Sequence, residues 1–204
     1  MKFILWFLAI LPFLVFSQTQ TSNQLIEKGW KKYSEEKGSI TYTISGDATG
    51  SEVFTFDRYG WRSLKKMDMQ FELYGAQRSQ VLHESSDGGS IYRINHSDST
   101  YSTRIDFRWT TQAGQVSPKQ ASEAILFGLG GTYSSDSVLL GKTCQIWTFE
   151  NKALKQMWVW NGLVLKRISK LGENNIITTA TEIDLQPTID DSIFQIPSIY
   201  QQKE

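Results

Sequence analysis

The chain has few of the residues on which enzyme and metal chemistry most often depends. Among 204 residues it contains one cysteine, two histidines and four prolines. A single cysteine excludes an intramolecular disulfide and any zinc site built on two or more thiolates. His83 and His96 have no spacing typical of a metal or catalytic motif, and the sequence has no Gly-x-Ser-x-Gly elbow or glycine-rich phosphate loop. We therefore expect no catalytic residues, no metal site and no cofactor.

An excess of one charge is also missing, because 21 basic residues stand against 21 acidic ones. A balanced chain of this kind lacks the field that draws a protein to nucleic acid. Apolar residues make up 40% of the sequence and aromatic residues 13%. That content can fill one core, and the length fits a single domain.

The first 17 residues have the pattern of a secretory signal peptide. Lys2 precedes an apolar run from Phe3 to Phe16, and the small residues Val15 and Ser17 stand where a signal peptidase needs them. We predict cleavage between Ser17 and Gln18, which leaves a single domain over residues 18–204. An uncleaved anchor is the alternative, although the run is short for a membrane span.

Two further features of the sequence bear on where the mature protein resides. Its only cysteine, Cys144, is far from the predicted cleavage site, so we expect no lipid anchor there. No later apolar stretch approaches the roughly 20 residues of a transmembrane helix. Loss of Lys2 with the leader leaves 20 basic and 21 acidic residues, a net charge of −1. We expect a soluble protein in the periplasm or outside the cell.

The mature chain is predicted to be mainly β. Residues 23–33 have helix-like spacing and predict one helix of about three turns, capped by Ser22 or Asn23. From residue 38 onward the apolar positions alternate, which predicts about ten antiparallel strands in all. These include a strand over 101–109, with Phe107 and Trp109 on one face. Asn161 and Gly162 predict a tight hairpin, because a type I′ turn needs positive φ at both central positions.

A second helix is predicted in the middle of the chain. Ser117 and Gln120 have the spacing of a capping box, and Pro118 occupies the first helical position. The helix should end at the glycines of 128–131, which predict a pliable segment before the next strand, at 138–140. A sheet of this size curls or closes, and an incomplete barrel with helices over its concave face is one solution. A two-sheet sandwich is the other.

Three stretches near the end of the chain resemble the LolA-like family of periplasmic lipoprotein carriers. They are a Trp-rich strand with a glycine turn and an apolar-Lys strand (158–166, WVWNGLVLK), a further strand (180–183, ATEI) and an Asp-x-x-Phe-x-x-Pro close (190–197, DDSIFQIP). The order of elements from 22 to 198 is also similar. The resemblance implies a β half-barrel whose apolar cavity takes acyl chains beneath a helical lid, here residues 118–131. No position matches the carrier's functional arginine or its lid prolines, so the resemblance implies ligand binding rather than lipoprotein shuttling itself.

Apolar stripes on the predicted strands provide candidate ligand contacts. Burial of each CH2 group of an acyl chain gains about 0.8 kcal/mol, and methionine adapts to variable ligands. The same stripes are also typical of an ordinary core. The candidate ligand-binding residues are Met67, Met69, Phe71, Leu73, Ile125, Leu126, Leu129, Trp147, Phe149, Trp158 and Trp160.

The sequence leaves two other functions open. One is a protein-interaction or sensor module of the cell envelope, with an envelope protein as its partner. The other is carbohydrate binding, with Trp61 and Trp109 as aromatic platforms beside Arg62 and Arg108. Cys144 is expected to be a small buried apolar residue.

Overall fold

The computed structural model describes residues 20–112, 114, 116–150 and 153–203, and within that part all side chains except those of 110–112. The predicted leader, residues 1–17, lies outside the described residues.

The described residues form twelve strands, three α-helices and two short 3-10 helices. The helices are α1 (Ser22–Glu27), α2 (Phe107–Gln112) and α3 (Pro118–Gly128), and the 3-10 helices are Arg58–Gly60 and Asp191–Phe194. The strands are β1 (Gly38–Gly46), β2 (Ala48–Asp57), β3 (Arg62–Leu73), β4 (Ala76–Asp87), β5 (Ser90–Asn95), β6 (Thr100–Ile105), β7 (Gly131–Leu139), β8 (Lys142–Phe149), β9 (Leu154–Trp160), β10 (Leu163–Leu171), β11 (Asn174–Asp184) and β12 (Gln201–Gln202).

All twelve strands belong to one sheet, in the order β12-β6-β5-β4-β3-β2-β1-β11-β10-β9-β8-β7. Neighbours are antiparallel except for the short β12, which runs parallel to β6. β1 pairs with both β2 and β11 and so joins the two halves of the chain in the middle of the sheet. The sheet does not close, since β12 and β7 form its two ends within the described part of the chain. This confirms the predicted class, a mainly β half-barrel with short helices.

Alternation along β1 distinguishes the two faces of the sheet. Ile40, Tyr42 and Ile44 are buried, whereas Thr43 and Ser45 are exposed. Cross-strand partners share a face, so the buried face continues through the neighbouring strands. We call it the inner face and the opposite one the outer face.

The first helix is shorter than its spacing predicts, and Thr21 caps it rather than Ser22 or Asn23. Thr21 Oγ1 accepts from the Gln24 backbone N–H, and Gln24 Oε1 accepts from the Thr21 N–H at 2.9 Å. The helix ends at Glu27, because Gly29 has φ 75° and turns the chain out of the helix. Trp30 and Tyr33, predicted on the helix, therefore lie in the connection to β1.

The predicted strand over 101–109 is also wrong in its second half. β6 ends at Ile105, and Phe107 and Trp109 belong to α2. The Asp106 N–H donates to the Gly89 carbonyl at 2.8 Å, and its carboxylate pairs with Lys32. These contacts end the ladder at Asp106, so tertiary structure overrides the local alternation.

The segment predicted to be pliable after α3 is instead the start of a strand. β7 begins at Gly131, earlier than the predicted 138–140, and Gly131 pairs directly with Phe149. A Cβ at Gly131 would lie 2.7 Å from the Phe149 ring and 2.8 Å from the Leu126 carbonyl oxygen. This glycine therefore permits close packing of α3, β7 and β8 rather than flexibility.

Two local predictions are confirmed. Ser117 caps α3 in a capping box with Gln120, and Pro118 is the first helical residue. Asn161 and Gly162 have φ 49° and 88° and connect β9 to β10. Side-chain and turn chemistry at these positions acts over a few residues, so the sequence specifies it directly.

Candidate functional site

The connection between α1 and β1 covers part of the inner face. We call residues 28–37, together with Trp109 of α2, the inner lid. The Tyr33 ring packs edge-on against Phe56 with centroids 5.0 Å apart, against Phe54 at 6.2 Å and against Trp109 at 6.0 Å. The Tyr33 ring therefore joins the inner lid to two aromatic residues of β2.

A buried ion pair fixes the inner lid. Lys32 Nζ lies 3.0 Å from Asp106 Oδ2 and 4.6 Å from the centroid of the Trp61 ring, and only 4% of Lys32 is exposed. Burial lowers the pKa of Lys32. The nearby Asp106 carboxylate raises that pKa, but by less than burial lowers it. Burial also raises the pKa of Tyr33, and Asp106 adds to that rise. The Lys32 and Tyr33 N–H groups both donate to the Tyr59 carbonyl.

Two small cavities lie beneath the inner lid. One of about 100 Å³ extends towards Glu84 and Asp106, and one of about 160 Å³ extends towards Glu52 and Arg167. Both are lined by Tyr33, Phe54 and Lys65. Because these three side chains border both cavities, the Tyr33 ring lies between the two cavities. It occupies space that would otherwise belong to a single larger cavity.

An ion pair lines the larger cavity. Arg167 donates to both carboxylate oxygens of Glu52, at 2.6 and 3.3 Å, and only 3% of Glu52 is exposed. Such bidentate pairs are strong and directional. Tyr42 lies beside them and donates its hydroxyl to the Val164 carbonyl at 2.8 Å; burial and then Glu52 raise its pKa. Sequence reasoning missed this pair, since β2 and β10 are not adjacent in the sheet.

The predicted methionine stripe lies at the other end of the inner face. Met69 is buried with Ile44, Ala48 and Ile176, and Met67 and Phe71 pack against this cluster. The β10–β11 turn reaches this end, since Asn174 Nδ2 donates to the Glu72 carbonyl. Leu73 is half-buried near the same turn. We call this group the methionine cluster.

The remaining predicted contacts divide between the two faces. Trp158 and Trp160 pack on the inner cluster of Ile40, Tyr42 and Leu165, with Lys166 and Lys142 over their rings. The helix α3 packs on the outer face, opposite these tryptophans. Its Leu126, with Leu129 beside it, joins Trp147 and Phe149, and Ile125 is half-buried. The eleven predicted residues therefore do not form one site, and α3 does not cover the tryptophans.

The tryptophan, cysteine and histidine residues considered in the sequence analysis also have defined positions in the structure. Trp61 is fully buried and donates its indole N–H to the Trp30 carbonyl at 2.9 Å, so it offers no exposed platform for a sugar. Cys144 is buried, as predicted, and burial raises the pKa of its thiol. His83 and His96 meet on the outer face, with Nδ1 and Nε2 2.6 Å apart, which no sequence spacing indicated.

Among the described residues, which leave out 1–19, 113, 115, 151, 152 and 204, no three histidine, cysteine or carboxylate side chains are grouped to hold a metal ion. Over the same residues, no helix is long and apolar enough to cross a membrane.

The fold and the covered inner face define an open, single-sheet half-barrel, a class with solved examples. An uncharacterized conserved protein from Thermus thermophilus is similar over 90% of this chain and 99% of its own, with a TM-score of 0.52 and 5% identity. At that identity the likeness shows a shared fold and nothing more.

Weaker likenesses include MucB and LprF from Mycobacterium bovis. MucB has a TM-score of 0.43 and 10% identity over 87% of this chain and 63% of its own. LprF has a TM-score of 0.35 and 8% identity over 84% of this chain and 92% of its own. Both scores are below 0.5, so neither likeness is evidence of function. No protein-family model and no curated protein matches the chain.

Proposed function

We propose that the chain is an exported, non-catalytic binding protein of the cell envelope, related to the LolA-like carriers. Its ligand is the acyl chain of a lipid or lipoprotein, held against the inner face beneath the inner lid. The observation that carries this proposal is that Tyr33 lies between two cavities and lines both of them.

Ligand entry requires displacement of Tyr33. Cavities of about 100 and 160 Å³ are smaller than typical small-molecule sites, which occupy roughly 300–1,000 Å³. Rotation of the Tyr33 ring away from Phe54 would join them and expose an aromatic wall. The acyl chain would then replace the ring against the same apolar surface, gaining about 0.8 kcal/mol for each buried CH2 group.

Charged groups beside the cavities suit a ligand with a polar head. Lys65 lines both spaces, and Glu52 and Arg167 line the larger one. Glu52 and Arg167 already pair with each other, and Lys65 Nζ lies 4.0 Å from Glu84 Oε1. A free hydrocarbon would add no hydrogen bond to these groups, whereas a carboxylate, phosphate or glyceryl head group could add one. We therefore favour an amphiphile over a wholly apolar ligand.

Native mass spectrometry of protein purified from its own cell envelope tests the proposal. We expect a mass excess that solvent extraction removes, and renewed uptake of a fatty-acid or lipopeptide probe by the emptied protein. Tyr33→Ala should take up the probe more readily. Tyr92→Ala, at a half-buried tyrosine of β5, is the matched control and should behave as the wild type. A protein that is empty as isolated and takes up neither probe would contradict the proposal.

A second candidate function is binding of a partner protein at the sheet edge. β7 pairs only with β8 among the described residues, which leaves one side of a nine-residue strand open. Its sequence has no lysine or proline, the residues that commonly protect such edges. Val138 is 69% exposed there. An extended segment of a partner could add to this edge.

Affinity capture from envelope extract distinguishes this candidate. It predicts one stoichiometric partner that is lost in Val138→Pro. Leu139 and Lys142 form the hydrogen-bonded pair that closes the two-residue turn, so the Val138 N–H points to the open edge and proline removes a backbone donor from that edge. Capture that is equal for wild type and Val138→Pro would exclude the β7 edge as the binding surface.

A further inference from the structure

A third cavity lies on the other side of the sheet from the inner lid. It is an open cleft of about 480 Å³ between the first half of α3 and strands β7–β9, closed at one end by the β9–β10 turn. We call it the α3 cleft. Its volume falls within the roughly 300–1,000 Å³ of small-molecule sites. Gly162 of the turn lines both this cleft and the larger inner cavity, so the turn separates the two.

Uncharged polar side chains contribute much of the lining of the α3 cleft. Ser122 contributes a hydroxyl although only 6% of that residue is exposed. Thr143 adds a second hydroxyl, and Gln145 and Asn161 add amides. The amide nitrogen of Gln145 donates to Glu123 Oε1 at 2.7 Å, which holds α3 to β8 and leaves the amide oxygen an acceptor.

Charge in the cleft is balanced. Among the described residues that line it, Lys119 is the one cation and Asp136 the one anion, and Lys119 Nζ also lies 3.9 Å from Glu123 Oε1. A site for a phosphate or a metal ion would need an excess of one sign. The lining instead fits a neutral ligand that both donates and accepts hydrogen bonds.

One aromatic ring borders these polar groups. Tyr133 is 49% exposed, and its ring is held edge-on against Trp147 with centroids 6.3 Å apart. Trp160 also lines the cleft, at the end of β9, although its ring packs on the inner cluster with Lys142 over it. A sugar ring has an apolar C–H face and a rim of hydroxyls, so an aromatic face next to amides and hydroxyls matches both of its surfaces.

The β9–β10 turn presents Asn161 in a fixed position. Both central residues of this turn have positive φ, which defines the backbone of a two-residue hairpin. A side chain on such a turn loses little backbone entropy when a ligand binds. We propose that the α3 cleft binds a neutral oligosaccharide, with Asn161, Asp136 and Gln145 hydrogen-bonding its hydroxyls and Tyr133 packing on a sugar face.

The turn also provides a variant with little structural cost. Asn161→Gly removes the amide and keeps positive φ, because glycine adopts this conformation without strain. Tyr74→Gly is the matched control. Tyr74 is 95% exposed in the β3–β4 hairpin, where Tyr74 and Gly75 also have positive φ, and it does not line the cleft.

The experiment applies the full mature chain and both variants to an array of neutral and anionic glycans, followed by titration of the retained glycan in solution. We expect saturable binding of a neutral oligosaccharide, weakened about tenfold in Asn161→Gly, the effect of losing one or two hydrogen bonds, and unchanged in Tyr74→Gly. The proposal is overturned if no glycan is retained, if only anionic glycans are retained, or if Asn161→Gly binds as the wild type does. Uptake of an acyl probe by Asn161→Gly should be unchanged, so the two sites can be tested separately.

Discussion

The inner face differs between its two ends. At the methionine cluster, Met69, Ile44 and Ile176 pack together, and the β10–β11 turn reaches across to β3. At the inner lid, aromatic rings meet buried charges, and two cavities persist. Plain apolar packing suits a core, whereas buried ion pairs and residual space are costly features that a folded chain has little reason to keep without a function. We therefore propose the lid end, rather than the methionine cluster, as the place for a ligand.

The largest expected effect comes from breaking the ion pair near the lid. Arg167→Met leaves the Glu52 carboxylate buried without its partner, and we expect a loss of about 3 kcal/mol in the free energy of unfolding. Urea denaturation measures it. The double variant Glu52→Met with Arg167→Met removes both charges and should recover most of the loss. If Arg167→Met were as stable as the wild type, the ion pair would make no contribution to the stability of the lid end.

A somewhat smaller effect is expected at the other end. Met69→Ala leaves a cavity beside Ile44 and Ile176 and should lower the free energy of unfolding by about 2 kcal/mol, as measured by urea denaturation. Uptake of an acyl probe should stay at the wild-type level. If Met69→Ala abolished uptake while the protein remained folded, the methionine cluster would be part of the site and the distinction between the two ends would be lost.

Acid should lower the stability of the protein through His83 on the outer face. Burial, then His96 and Lys66, lower the pKa of His83 from 6.5 to about 4. The unfolded chain therefore binds more protons between these values, so stability decreases as pH falls from about 6.5 to 4 and the effect is complete below that range. The wild type should lose more stability between pH 7 and pH 5 than His83→Gln, as measured by urea denaturation. Equal losses would mean that His83 is not the group responsible.

The smallest expected effect distinguishes the inner lid from α3. Ser117→Ala removes the cap of α3 and should lower stability by about 1 kcal/mol. Because α3 packs on the outer face, uptake of an acyl probe should not change. Altered uptake in this variant would restore α3 as the lid that the family resemblance implies.

Local features were the part of this fold that could be predicted from the sequence. The capping box at Ser117 and the turn at Asn161 depend on a few neighbouring residues, and both are present in the structure. Strand alternation also predicted a mainly β chain, whereas the half-barrel rather than a two-sheet sandwich was implied by the family resemblance. The short α2 was missed, because its residues alternate as a strand would, and it is the contacts of Asp106 that end β6.

The site could not be predicted in the same way. Alternation shows that Trp158 and Met157 point to opposite faces, but it does not show which face is inner or which helix covers it. The pairing of Glu52 with Arg167 joins residues that are 115 positions apart. It depends on β1 and β11 lying between their strands, and no local pattern contains that information.

Titration of a fluorescent fatty acid into wild type, Tyr33→Ala and Met69→Ala tests the central claim most directly. If the ligand site lies beneath the inner lid, the wild type binds the probe, Tyr33→Ala binds it more tightly, and Met69→Ala binds it as the wild type does. Unchanged binding in Tyr33→Ala together with a loss in Met69→Ala would contradict the account.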